Sequence, residues 1–226
     1  MECRRLEPRP SLRRPSSRAL PALLLALSGC AGCDRILGPE VEIAQYLQAQ
    51  GAASPRFSVP GGEIVLGKVR FDHVLVKPEG EGLTAVGQVD AEGLFAGTTR
   101  VSYIGLERVP FVLRDGRWLP RGALLPALQE VAGVLMARHT AEQARDPTAI
   151  ERQVATVWAG EGVSREAALA AMKERLAAGP RKAELKRWIV RVERERCEVL
   201  EETSAGATRL VLVREAGQLR IASGTL

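Results

Sequence analysis

Four cysteines and two histidines carry most of the side-chain chemistry in this 226-residue chain, and their spacing removes most of its uses. No CxxC pair, HExxH motif or carboxylate cluster lies around His73 or His139, so neither reads as a metal ligand. Each reads instead as a surface or structurally satisfied histidine, with His139 placed towards the end of a helix where a protonated ring suits the macrodipole. Asp72 and His73 are neighbours in a strand reading FDHVLV, and strand neighbours point to opposite faces, which separates them as an acid–base pair. No serine sits in a GxSxG elbow, and Gly61-Gly62 and Gly80 to Gly82 precede strands rather than the helix a phosphate cradle needs. No cofactor is expected. The cysteine with the most suggestive surroundings is Cys30, which closes ALPALLLALSGC: a thiol placed after an apolar run and a step of two small residues.

The run from Ala19 to Leu27 would cover about 14 Å as a helix, against a hydrocarbon core of about 30 Å, and cannot span it. Ahead of it stand Arg4, Arg5, Arg9, Arg13, Arg14 and Arg18, opposed only by Glu2 and Glu7. A positive head, a short apolar centre and a small-residue end describe an export signal rather than part of a fold. Leu27-Ser28-Gly29-Cys30 resembles the bacterial lipobox at all four positions. The resemblance implies that the Cys30 thiol becomes a thioether to a diacylglyceryl group, and that Leu27, Ser28 and Gly29 are recognised by a peptidase that cuts before Cys30. It also implies that the mature chain is held at a lipid bilayer by acyl chains such as palmitate. Several chains at about 0.8 kcal/mol per buried methylene hold a protein almost permanently. Cys33 also follows small residues, Ala31 and Gly32, but its aliphatic slot would be filled by Cys30, so Cys30 is preferred. With Ala31 rather than an Asp after the cysteine, the sorting rule of enteric lipoproteins points to the outer membrane, facing the periplasm. Arg4-Arg5 and Arg13-Arg14 lack the neighbours of a twin-arginine signal, which leaves general secretion.

Removing residues 1–29 takes away six arginines and two glutamates of a chain whose formal charge is +5, leaving 26 basic and 25 acidic residues. The near-neutral remainder argues against a nucleic-acid partner. About 197 residues remain, enough for one large domain or two small ones. With three Trp, two Tyr and four Phe in the whole chain, the core must be mainly aliphatic. Export implies an oxidising compartment, so Cys33 and Cys197 are a candidate disulfide; the competing reading makes Cys197 a small buried hydrophobe and Cys33 a free thiol.

Residues 30–39 read as a lipidated tether. Residues 40–121 read as a helix, EVEIAQYLQAQ stopped by Gly51, followed by an antiparallel meander broken at Pro78 to Gly82 and at Ala91 to Gly97. Asp115-Gly116 between PFVLR and RWLP is a two-residue hairpin signal. Residues 122–226 read as three helices, with faces Leu128/Val131/Leu135, Ile150/Val154/Val157/Trp158 and Leu169/Met172/Leu176. Asp146-Pro147 and Ser164 supply N-caps, and Gly160 and Gly179-Pro180 supply stops. Strands return in WIVRVERERCEVLEE and ATRLVLVREAGQLRIASG, the second with a hairpin at Ala216-Gly217. The charge run 193–202 reads as a solvated strand face or a partner-binding edge.

The fold class is therefore α+β, with antiparallel meanders packed by helices. Both halves end in a strand, a glycine turn and a returning strand, PFVLRDGRWLP and RLVLVREAGQLRIAS. This resembles the closing hairpin of the cone-shaped ketosteroid isomerase and nuclear transport factor domains and of the cystatin-like roll, which implies two cystatin-like halves. Were such a cone enzymatic, the resemblance implies an inward carboxylate and a tyrosine hydroxyl, for which Asp72 and Tyr103 are the combination to test. The expected function is a non-catalytic envelope lipoprotein whose body binds another envelope protein or a small ligand. The alternative is an envelope enzyme with a ketosteroid-isomerase-like pocket.

Overall fold

Alternating apolar and polar residues along three long strands set the architecture. In β4 (Thr99–Arg114) the inward series Val101, Tyr103, Gly105, Glu107, Val109 and Phe111 is buried while the intervening residues are more exposed. The computed structural model describes residues 38–160, 162–179 and 183–226. The signal, Cys30 and Cys33 lie outside the described residues.

The first helix, α1 (Pro39–Ala52), leads into β1 (Arg56–Val59), β2 (Gly62–Glu79), β3 (Gly82–Phe95), β4 and β5 (Arg117–Pro120). Three helices follow, α2 (Pro126–Ala144), α3 (Pro147–Glu151) and α4 (Arg165–Ala177), and then β6 (Leu185–Glu193), β7 (Arg196–Thr203), β8 (Gly206–Glu215) and β9 (Gln218–Gly224). The expected α+β class holds. The nine strands form one sheet, ordered β1-β2-β3-β4-β6-β7-β8-β9, with β5 paired to the outer part of β4. Every pairing is antiparallel except β4 with β6, which runs parallel from Arg100↔Arg187 to Gly105↔Val192. A parallel neighbour requires a crossover connection, and α2 to α4 provide it.

The caps fall where expected. Asp146 accepts from Ala149 N at 3.0 Å and Ser164 Oγ accepts from Ala167 N at 3.1 Å. Both hairpins have positive φ at their two central residues, 52° and 75° at Asp115-Gly116 and 48° and 79° at Ala216-Gly217.

Several expectations are corrected. The helix α1 ends at Ala52, one residue past Gly51, and Gly51 is buried there, where a Cβ would lie 2.7 Å from the Val69 carbonyl oxygen, so its smallness also permits helix and sheet to touch. The break between β3 and β4 is confined to residues 96–98, because Ala91 to Phe95 pair in register with β4. The face Ile150/Val154/Val157/Trp158 is not one helix. After α3 the chain runs alongside β9, exchanging backbone bonds with it (Ala155 N to Ile221 O, Ile221 N to Gln153 O, Ala159 N to Ala222 O), which covers that sheet edge and leaves Val157 76% exposed. The run 193–202 is no edge either: it contains the β6–β7 turn, and β7 is paired on both sides, with β6 and with β8. Along β7 the more exposed Arg196, Glu198, Leu200 and Glu202 instead alternate with the buried series Cys197, Val199 and Glu201.

The core is aliphatic around a few rings. Trp188 is fully buried and stacks on Phe95 with ring centroids 5.0 Å apart, while Tyr46 meets Phe111 edge to face. No helix among the described residues is long and apolar enough to cross a membrane.

Candidate functional site

Two groups of buried ionisable side chains lie within this core. The first is centred on β4. Tyr103, Gly105 and Glu107 share its inward face, and a Cβ at Gly105 would sit 2.5 Å from the Tyr103 hydroxyl oxygen. The glycine thus lets the phenol lie along the strand and donate to Glu107 Oε1 at 2.6 Å. Glu107 also accepts from the first amides of α2, Ala127 N at 2.9 Å on Oε2 and Leu128 N at 3.1 Å on Oε1. Leu125, at the cap position of α2, offers no side-chain acceptor, so a carboxylate from a neighbouring strand does that work. Burial raises the Glu107 carboxyl to about 7, and the Tyr103, Ala127 and Leu128 donors keep it from rising further. Burial, followed by the adjacent Glu107 charge, lifts the Tyr103 hydroxyl well above its ordinary range, so it remains protonated.

The second group joins α2 to β6 and β7. Continuing the apolar face Leu128, Val131, Leu135 by one turn places Arg138 inward, and its side chain is only 5% exposed. It meets Glu201, 3% exposed, through Nη2 and Oε2, and Nη1 donates to the Thr225 carbonyl at 3.3 Å. Glu201 Oε1 accepts from the Trp188 indole at 3.2 Å. His139 stands between two carboxylates, with Nε2 3.6 Å from Glu201 Oε1 and Nδ1 4.0 Å from Glu142 Oε2. Arg175 of α4 donates to Glu142 Oε1 at 3.2 Å. Burial pushes the Glu201 carboxyl up, but the His139 ring and the Arg138 charge outweigh it and leave the group below its ordinary value. Among the described residues the Nε of Arg138 has no hydrogen-bond partner.

This second group opens into a cleft of about 240 Å³ between the end of α2, α4 and the β7–β8 turn, lined also by Gln143, Thr203 and Thr208. Its two guanidinium groups and two carboxylates already engage one another. The cleft is therefore suited to a small polar molecule met by hydrogen bonds rather than to a lone ion, and it is smaller than the 300–1,000 Å³ of sites for drug-sized ligands. A second cleft of about 660 Å³ lies between α4 and strands β8 and β9, where the Trp158 indole nitrogen is buried without an acceptor among the described residues. Neither cleft is lined by Tyr103 or Glu107. No group of three or more metal-ligating side chains is present among the described residues.

The residues singled out from the sequence are dispersed. Asp72 and Tyr103 are not brought together: Asp72 pairs across β3 with Gln88, which faces Leu106, and Leu106 is three residues from Tyr103 on the opposite face of the sheet. Asp72 instead accepts from Arg70 Nε at 2.8 Å near the surface. His73 is exposed at a bulge between Asp72 and Leu75, with φ of 52°. His139 is not at the helix end but beside Glu201. Cys197 is buried, and burial pushes its thiol up to about 12, which makes it a poor nucleophile. Its candidate partner Cys33 lies outside the described residues, as do Leu27, Ser28, Gly29 and Cys30.

Glu107, Arg138 and Glu201 do not stand out in the sequence as functional residues. Each sits at an inward position of a regular period, and reading the period through a charged residue instead of stopping at it would have found all three. Comparison with protein-family models, with curated proteins and with solved structures found no match to this chain.

Proposed function

We propose that the chain is an exported lipoprotein of the cell envelope, anchored through acylated Cys30 at the outer membrane and facing the periplasm, with a body that binds or scaffolds rather than catalyses. The observation that carries the anchor is the run from Arg4 to Cys30: a basic head, nine apolar residues and the step Leu27-Ser28-Gly29 immediately before a thiol. Support for a non-catalytic body comes from Glu107. It is the carboxylate nearest to what a ketosteroid-isomerase-like site would use, with a tyrosine hydroxyl beside it, yet both its oxygens are occupied by α2 amides. A general base has to reach a substrate proton, and a carboxylate spent on a helix start is poorly placed to do so. The Arg138–Glu201 cleft is the place on the body for a small polar ligand.

The finer architecture belongs to the same reading. The chain resembles two cystatin-like halves in series, because α1 precedes one meander, α2 to α4 precede another, and each half closes on a tight hairpin.

The test is metabolic labelling of producing cells with an alkyne fatty acid. The native chain should take up label and migrate as a processed form, and C30A should do neither. Normal processing and labelling of C30A removes the assignment.

A further inference from the structure

The end of the molecule where α1 begins carries an unusual surface. The β4–β5 hairpin lies against the first turn of α1, with Trp118 N donating to Glu42 Oε1 at 3.0 Å. In this hairpin Arg114 stands directly across from Arg117, and Arg121 follows just after the strand. Like charges placed opposite each other on a strand pair are unfavourable. Among the described residues, none of these three guanidinium groups has a hydrogen-bond or ion-pair partner. The carboxylates nearby are partly spent, Glu42 on Trp118 and Glu79 on Arg108 at 3.1 Å, which leaves Glu40, Glu81 and Asp115 in opposition. Leu119, 38% exposed, shares the side of the hairpin that carries the arginines, while Leu113 at 57% exposure and the half-buried Trp118 lie on its other side, towards Val41 of α1 at 42%.

We propose that this end of the molecule, the tip of the hairpin with the first turn of α1 beside it, rests on the anionic headgroup surface of the bilayer. The proposal rests on the lipid-anchor reading, and covalent geometry links the two. Eight residues lead from Cys30 to Gly38, and at about 3.6 Å each they span at most about 29 Å. The tether therefore holds the start of α1 within about 29 Å of the membrane, close enough for this end of the body to reach it. Unpartnered arginines meet phosphate there, the tryptophan suits the interfacial layer, and the exposed aliphatic side chains leave water. Each basic residue near an anionic surface contributes about a fivefold gain in partitioning, or about 1 kcal/mol.

The purified native protein, reconstituted in vesicles of phosphatidylcholine with and without about one third phosphatidylglycerol, is followed by hydrogen exchange. Amides of residues 113–121 should slow several-fold on the anionic vesicles alone, with the β7–β8 turn at 204–206 unchanged. The triple variant R114Q/R117Q/R121Q should lose that protection while remaining vesicle-bound and folded. Equal exchange on both vesicles with the protein still bound overturns the proposal, as does protection confined to another segment. Protection on neutral vesicles that grows with protein density marks a contact between copies and also overturns it. If the protein carries no acyl group, protection of 113–121 by added anionic vesicles upholds the face while the anchor reading fails; no protection rejects both.

Discussion

The Tyr103 hydroxyl donates to Glu107 Oε1 at 2.6 Å, four residues along one strand face, and the same carboxylate accepts the first two free amides of α2. A single inward side chain thus ties β4 to the start of the helix that crosses over to β6. Helix starts are usually capped from within, and here the cap arrives from a strand about 20 residues earlier in the chain.

Glu107→Ala is accordingly expected to destabilise the fold by about 3 kcal/mol, since it strands two amides and a phenol in the core. Tyr103→Phe, which removes one donor and leaves the cap, should cost about 1 kcal/mol. Urea unfolding of the two variants reads the difference; equal losses would mean that the α2 amides do not depend on the carboxylate.

The pH dependence of stability has a sign that differs between the two buried glutamates. Glu107 has its folded value raised from 4.5 to about 7, so its contribution is fully present below 4.5 and is lost as pH rises through 7. Glu201 is depressed, so its contribution is present above 4.5 and is lost as pH falls through its folded value. Relative to Glu107→Gln, the native chain should therefore lose on the order of 2 kcal/mol between pH 5 and pH 8. Denaturant midpoints measured across that range should converge or cross in that direction, and a widening gap in favour of the native chain has the wrong sign.

The pair Arg138 and Glu201 should behave as a buried ion pair. Arg138→Met alone leaves an uncompensated carboxylate and should cost about 3–5 kcal/mol, while Arg138→Met with Glu201→Leu should recover most of it. A double-mutant cycle by denaturant titration measures the coupling. Independent, additive losses would show that the two groups do not depend on each other.

Much of this molecule was legible in its residues because local rules and tertiary packing agreed there. Asp146 and Ser164 cap helices from within their own turns, and Asp115-Gly116 closes a hairpin that two adjacent strands already favour. Period failed where a distant partner intervened. Val157 continues a helical stripe on paper, but the backbone of β9 offers hydrogen bonds to residues 153–159 and the chain extends to take them. Gly51 marks the end of α1 to within one residue, but its contact with Val69 of a separate strand left no local sign. The parallel pairing of β4 with β6 spans an intervening segment of three helices and leaves no local mark at all. The buried charges were hidden for a different reason: a charged residue on an apolar period reads as an interruption unless its partner is known, and Glu201, the partner of Arg138, and the α2 amides that Glu107 accepts lie on other elements.

The Cys197 thiol should resist alkylation in the folded protein and react fully once unfolded, because its environment disfavours the thiolate. Iodoacetamide labelling with and without denaturant, each repeated after reduction, checks this. If unfolding exposes the thiol only when reductant is present, Cys197 is disulfide-bonded, and Cys33 is the partner to test by peptide mapping.

The measurement that bears most directly on the central claim is the intact mass of the native protein isolated from membranes, with fragmentation of its amino-terminal peptide. The expected molecule begins at Cys30 and carries a diacylglyceryl thioether there. A first residue that is unmodified, or a start at any other position, contradicts it.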